Sequence, residues 1–151
     1  MAEILKGKPV ADAISAEVKS EAEALRSQGI VPGLMIVRVG ERADDLAYEN
    51  AALKRMRACA IDCTVTTLPE AISQEQLIEK LSAINADVQV HGILLFRPLP
   101  AQIDEKAIQH GISPEKDIDC FNPVNLAKIV ADDASGFPPC TPAAAIESGQ
   151  W

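Results

Sequence analysis

Apolar residues recur at three- and four-residue spacing from about Pro9 to Gln28. Val10, Ile14, Val18, Ala22 and Leu25 share one side, while Glu17, Lys19, Glu21 and Arg26 take the other. This period predicts an amphipathic helix that Gly29 stops. Gly33–Val39 then reads as a short apolar run bounded by glycines, a buried strand that Gly40 closes. A second helix is expected to Ala58, capped by Asp44 or Asp45, because a short side-chain oxygen can take up free helical N–H groups. Asp62–Leu68, with Cys63, Val65 and Thr67 alternating, predicts a second strand. Ser73-Gln74-Glu75-Gln76 has the form of a capping box, and Leu77, Ile78, Leu81 and Ile84 make the stripe of a third helix.

Val90–Phe96 predicts the third strand, and Asp104–His110 a short helix stopped by Gly111. Asn122-Pro123 can open another helix through Val130, with Leu126, Ile129 and Val130 expected to face inward. Pro138–Pro142 reads as a stiff turn, followed by the start of a helix at Ala143–Glu147. Strands alternating with helices predict an α/β fold of βαβ units, a mostly parallel sheet flanked by helices. In such sheets ligands sit beyond the carboxyl ends of the strands, which directs attention to Gly40–Tyr48, Phe96–Pro100 and Asp117–Pro123.

Composition narrows the functional classes. The chain has 151 residues and a formal net charge of −8, an acidic balance that argues against a nucleic-acid partner. No apolar run approaches the length of a membrane span, and Met1–Lys6 carries no leader pattern, so no membrane partner and a cytoplasmic location are expected. Cys59, Cys63, Cys120 and Cys140 form no Cys-x-x-Cys pair and are not arranged with His91 or His110 as metal ligands, so free buried thiols are expected and no metal. There is no Gly-x-Gly-x-x-Gly after a strand, no phosphate-cradling loop and no nucleophile elbow. Tyr48, the only tyrosine, reads equally as a packing residue or a site residue. From the residues alone the picture ends at an α/β domain with a small-molecule cleft.

Several ordered segments carry a resemblance. Pro32-Gly33-Leu34 through Val39-Gly40, Tyr48, Gly92-Ile93-Leu94 with Pro98-Leu99-Pro100, Pro114–Asp119 and Pro139-Cys140-Thr141-Pro142 fall in one family's order and spacing. The chain resembles the N-terminal, folate-binding domain of the bifunctional methylenetetrahydrofolate dehydrogenase/methenyltetrahydrofolate cyclohydrolase family. The resemblance implies that Tyr48 lies along a folate, that Pro98, Leu99 and Pro100 line its pocket, and that Asp119 hydrogen-bonds the pterin. It also implies a division into a folate-binding unit, residues 1–138, and the start of a connecting helix, 139–151, with the family's C-terminal Rossmann domain absent. NAD(P) would then bind only through that other domain, and this chain alone would hold no cofactor. Surface uncovered at the cut end is expected to favour self-association.

The chain departs from the family pattern at informative places. The lysine expected four residues after the tyrosine is Ala52, and a glutamine expected before the proline loop is Phe96, followed by Arg97 in place of leucine. Cys120 and Ala144 stand where the family has glycine. Hydrolysis of the methenyl bridge needs a proton-transfer group near neutrality, which a desolvated lysine supplies and alanine cannot. Arginine stays protonated, so Arg97 suits an anion such as the folate glutamate rather than a base. Lys54 is the one nearby candidate for a displaced base, although it sits roughly 120° around the helix from Tyr48. Three readings follow: a diverged domain with little catalysis, a fragment of an active enzyme using Lys54, or an interaction module.

Overall fold

The computed structural model describes residues 7–150. Met1–Lys6 and Trp151, where the expectations about a leader and the far end of the connecting segment fall, lie outside the described residues. The elements are α1 (Gly7–Ser27), β1 (Gly33–Val39), α2 (Ala43–Ala58), β2 (Asp62–Leu68), α3 (Gln74–Ala86), β3 (Gly92–Leu95), α4 (Glu105–Ile108), a 3-10 turn (Gln109–Gly111), α5 (Pro123–Val130) and α6 (Cys140–Gln150).

The sheet is parallel, in the order β2-β1-β3. Register pairs Gly33 with Asp62 and Val39 with Leu68 on one side, and Leu34 with Gly92 and Val37 with Leu95 on the other. Because successive side chains alternate between faces, Val37, Val39, Ile93 and Leu95 point one way and Leu34, Ile36, Leu94 and Phe96 the other. The first set joins Leu77 and Leu81 of α3, both fully buried, with Ile108, Ile112 and Phe121. The second meets α2 through Ala52 and Met56.

Local chemistry explains most boundaries. Ser73 Oγ accepts from Gln76 N, and the Gln76 side chain accepts from Ser73 N, completing the expected capping box. Asn122 caps α5 by accepting from Val124 N at 2.9 Å, with Pro123 at its first position. β3 is shorter than expected, yet His91 N donates to the Gly33 carbonyl and Phe96 N to the Val37 carbonyl, so the hydrogen bonding runs on past both ends.

Four expectations are corrected. The residue at the cap of α2 is Arg42, not an aspartate; Asp44 and Asp45 lie inside the first turn, where their charge favours the positive end of the helix. The Pro138–Pro142 stretch is not only a turn, since α6 starts at Cys140 and absorbs Pro142 in its first turn, where N–H groups have no helical acceptor. Leu126, Ile129 and Val130 are exposed rather than inward-facing, and the fully buried residue of α5 is Asn125. Its amide donates to Pro114 O and Asp117 Oδ2, both at 2.9 Å, so satisfying a buried polar group sets the rotation of the helix. All four cysteines are free, but only Cys59 is buried; Cys140 is exposed.

Candidate functional site

The carboxyl ends of β1 and β3 open onto a hollow of about 430 Å³ lined by Arg42, Asp44, Asp45, Tyr48, Leu94, Leu95, Phe96, Arg97 and Asp119. Three separate segments build it: the first turns of α2, the exit of β3, and the loop that follows α4 and its 3-10 turn.

Arg38 anchors the first of these. It is 5% exposed on β1 and faces α2, where Nε donates to Glu49 Oε2 at 2.6 Å. Its other nitrogens donate to Thr67 Oγ1 at 3.2 Å and to the Gly40 carbonyl. One guanidinium on β1 thus ties β2, the Gly40 turn and α2 together, directly beside Tyr48. Gly40 has φ +78°, a conformation that favours glycine and turns the chain from β1 toward α2. Tyr48 stands on the rim, 60% exposed, with its ring 5.3 Å from that of Phe96 in an edge-on arrangement.

The third segment rests on Asp117. Its carboxylate is 1% exposed and accepts from Phe121 N at 3.0 Å, Asn122 N at 2.9 Å and the Asn125 amide. Ile93 N donates to Lys116 O at 2.7 Å, extending the sheet by one bridge onto this loop. The approach is close, since a Cβ on Gly92 would lie 2.8 Å from Ile118 Cγ2. Asp119, two residues on, is left to reach the cleft. Its Oδ1 accepts from Cys140 N at 3.2 Å and its Oδ2 from Arg97 Nη2 at 3.3 Å. The Arg97 guanidinium carbon lies 4.8 Å from the centre of the Phe121 ring, within reach of a cation–π contact with that wall.

Burial, helped by the Asp119 hydrogen bond and by the charges of Asp119 and Asp117, pushes the Cys140 thiol up. Burial and the same two carboxylates do likewise for Cys120. Both thiols stay protonated and poorly nucleophilic. Cys120 has φ +56°, which explains a glycine preference at this position.

The structure therefore brings Tyr48, Phe96, Arg97 and Asp119 to one hollow. Pro98, Leu99 and Pro100 line a neighbouring one of about 280 Å³ with Val39, Gly40, Glu41, Arg42 and Glu70; Arg42 borders both. The Arg97–Pro98 peptide is cis. Lys54 is exposed and lines neither hollow. Ala52 packs against the buried cluster of Leu34, Ile36 and Phe96, so the helix position four residues after Tyr48 is occupied by hydrocarbon. Sequence reasoning did not single out Arg38, Glu49 or Arg42. An arginine inside an otherwise apolar strand was the available signal for the first.

Residues 5–119 match the family model described as tetrahydrofolate dehydrogenase/cyclohydrolase, catalytic domain. The chain belongs to this family. Among the tetrahydrofolate dehydrogenase/cyclohydrolase relatives, the bifunctional protein FolD of Clostridium kluyveri is 54% identical over 144 residues, covering 95% of this chain and 51% of that protein. Among solved structures, the bifunctional FolD enzyme of Campylobacter jejuni superposes with a TM-score of 0.95 at 33% identity, covering 98% of this chain and 52% of that one. The Trypanosoma brucei dehydrogenase-cyclohydrolase, solved with NADP cofactor and inhibitor, gives 0.89 at 34% identity, covering 97% and 50%. The chain thus spans about half the length of the curated relatives it matches. Among the described residues no helix is long and apolar enough to cross a membrane, and no group of three or more His, Cys, Asp or Glu is placed to hold a metal ion.

Proposed function

We propose that this chain is the folate-side domain of a methylenetetrahydrofolate dehydrogenase/cyclohydrolase-type protein, diverged so that it takes a reduced folate but performs little cyclohydrolase chemistry. The observation that carries this reading is that Ala52 packs against the buried cluster containing Phe96, which lines one hollow with Tyr48, Arg97 and Asp119. The cleft keeps groups that recognise a pterin and an arylamine, while the proton-transfer position is filled by hydrocarbon.

In this reading Asp119 accepts hydrogen bonds from the ring N–H groups of the pterin. Removing it would leave those donors unpaired, which makes it a discriminating contact. Tyr48 offers an exposed ring face along the arylamine, and Pro98, Leu99 and Pro100 form a stiff wall. Residues 1–138 form the folate-binding unit, and 139–151 begin the connection to a dinucleotide-binding partner domain. The first strand turn here, Val39-Gly40-Glu41-Arg42, lacks the glycine spacing that a dinucleotide pyrophosphate needs, so NAD(P) is not assigned to these residues.

Calorimetric titration with tetrahydrofolate tests the binding half; no heat at millimolar ligand overturns it. A methenyltetrahydrofolate hydrolysis assay tests the other half, and a rate well above the uncatalysed one refutes lost catalysis. Ala52→Lys combined with Phe96→Gln is expected to raise that rate in the full-length chain. Lys54→Ala is expected to leave activity unchanged, because Lys54 lies outside both hollows.

A second reading, association through an apolar surface, draws support from Leu126, Val130, Phe137 and Ile146, exposed at 54%, 83%, 41% and 61%. A strictly monomeric species in light scattering at high concentration would remove it.

A further inference from the structure

The family resemblance accounts for Asp119 but not for the arginine beside it. Arg97 leaves β3 directly into the cleft, where its guanidinium carbon lies over the Phe121 ring and its Nη2 donates to Asp119. Among the described residues this is its one hydrogen bond, and a guanidinium has five N–H donors. The side chains are 41% and 32% exposed, so donors and acceptors are presented side by side to whatever enters. The nearest anion to Arg97 is Asp119, whose charge already balances it. The remaining donors therefore suit a neutral carbonyl better than a second carboxylate, which moves Arg97 away from the folate-glutamate role expected from sequence.

We infer that Arg97 is a specificity residue that donates to the 4-oxo group of a pterin ring while Asp119 accepts from the adjoining N3–H and 2-amino groups. The inference rests on the folate reading above. A 2-amino-4-oxopteridine presents along one edge two donors and then an acceptor. A carboxylate flanked by a guanidinium is the complementary series of acceptors followed by a donor. A 4-amino ring puts a donor opposite Arg97 and leaves N3 without its hydrogen, an acceptor opposite the Asp119 carboxylate, so both contacts become clashes and the pair selects for the 4-oxo form.

Calorimetry on the full-length chain compares tetrahydrofolate with tetrahydroaminopterin, which carries a 4-amino group instead. The unmodified chain is expected to prefer tetrahydrofolate. Arg97→Met is expected to weaken tetrahydrofolate binding about tenfold while leaving tetrahydroaminopterin unchanged or tighter, as loss of one charged, partly exposed hydrogen bond implies. Arg97→Lys, which keeps the charge without the fork, should fall between. Equal weakening of both ligands would mark a merely structural role through Phe121 and overturn the assignment. So would an unchanged or improved tetrahydrofolate affinity. Failure of the unmodified chain to bind tetrahydrofolate at all would instead overturn the folate reading, and this inference with it.

Discussion

The two faces of the sheet are built differently. On the α3 face, Val37, Leu77, Leu81, Ile93, Ile108 and Ile112 are each at most 1% exposed and belong to one continuous cluster. On the α2 face the buried cluster is Leu34, Ile36 and Phe96, and α2 itself buries no residue fully. What holds α2 in place is largely polar: Arg38 with Glu49, Thr67 and Gly40. The thick face supplies hydrophobic stability, while the thin face carries Tyr48, Ala52 and Phe96. Sequence change at the cleft is therefore tolerated by a fold whose stability is secured on the opposite side.

The largest effect should come from hollowing the thick face. Leu81→Ala is expected to cost about 3 kcal/mol in urea unfolding, against about 1 kcal/mol for Met56→Ala on the thin face. Equal costs would erase the contrast. Next, Arg38→Met strands Glu49, only 14% exposed at its side chain, and should cost about 2–3 kcal/mol. Arg38→Met with Glu49→Leu should recover much of that loss, because it removes the orphaned charge; no recovery would mean that hydrocarbon rather than the ion pair seats α2.

Smaller effects probe the cleft itself. Cys120→Gly relieves a residue at φ +56° and should add about 1 kcal/mol, read as a higher Tm. A lower Tm would show that the packing of the Cys120 side chain outweighs backbone strain. Finally, Cys140 should react slowly with iodoacetamide at pH 8 despite its exposure. Burial and Asp119 raise its thiol, so the reactive thiolate becomes abundant only at higher pH. Asp119→Asn should speed that reaction and shift its pH profile downward; an unchanged profile would leave burial and the Asp117 charge as the causes.

Much of this architecture was readable from local pattern. The bounds of β1 and β2, the Ser73 capping box and the Asn122-Pro123 helix start depend on residues within a few positions of one another. The rotation of α5 was not readable, because it follows from Asn125 reaching Pro114 and Asp117 across a loop. The start of α6 was obscured by prolines that read as breakers but fit a first turn. Within the cleft, Tyr48 and Asp119 were marked by family spacing. The pairing of Arg97 with Asp119, twenty-two positions apart, exists only because β3 and the Lys116–Asp119 loop are bridged at Ile93.

The loop around Asp117 has a consequence for redesign. Asp117 grips the backbone, the Asp119 N–H included, and the Asn125 amide, whereas the Asp119 side chain projects into the cleft. Frame and fitting are thus separate carboxylates two residues apart. A library varied at Arg97 and Asp119 alone therefore changes the polar groups that line the hollow while the Asp117 frame beneath them stays in place.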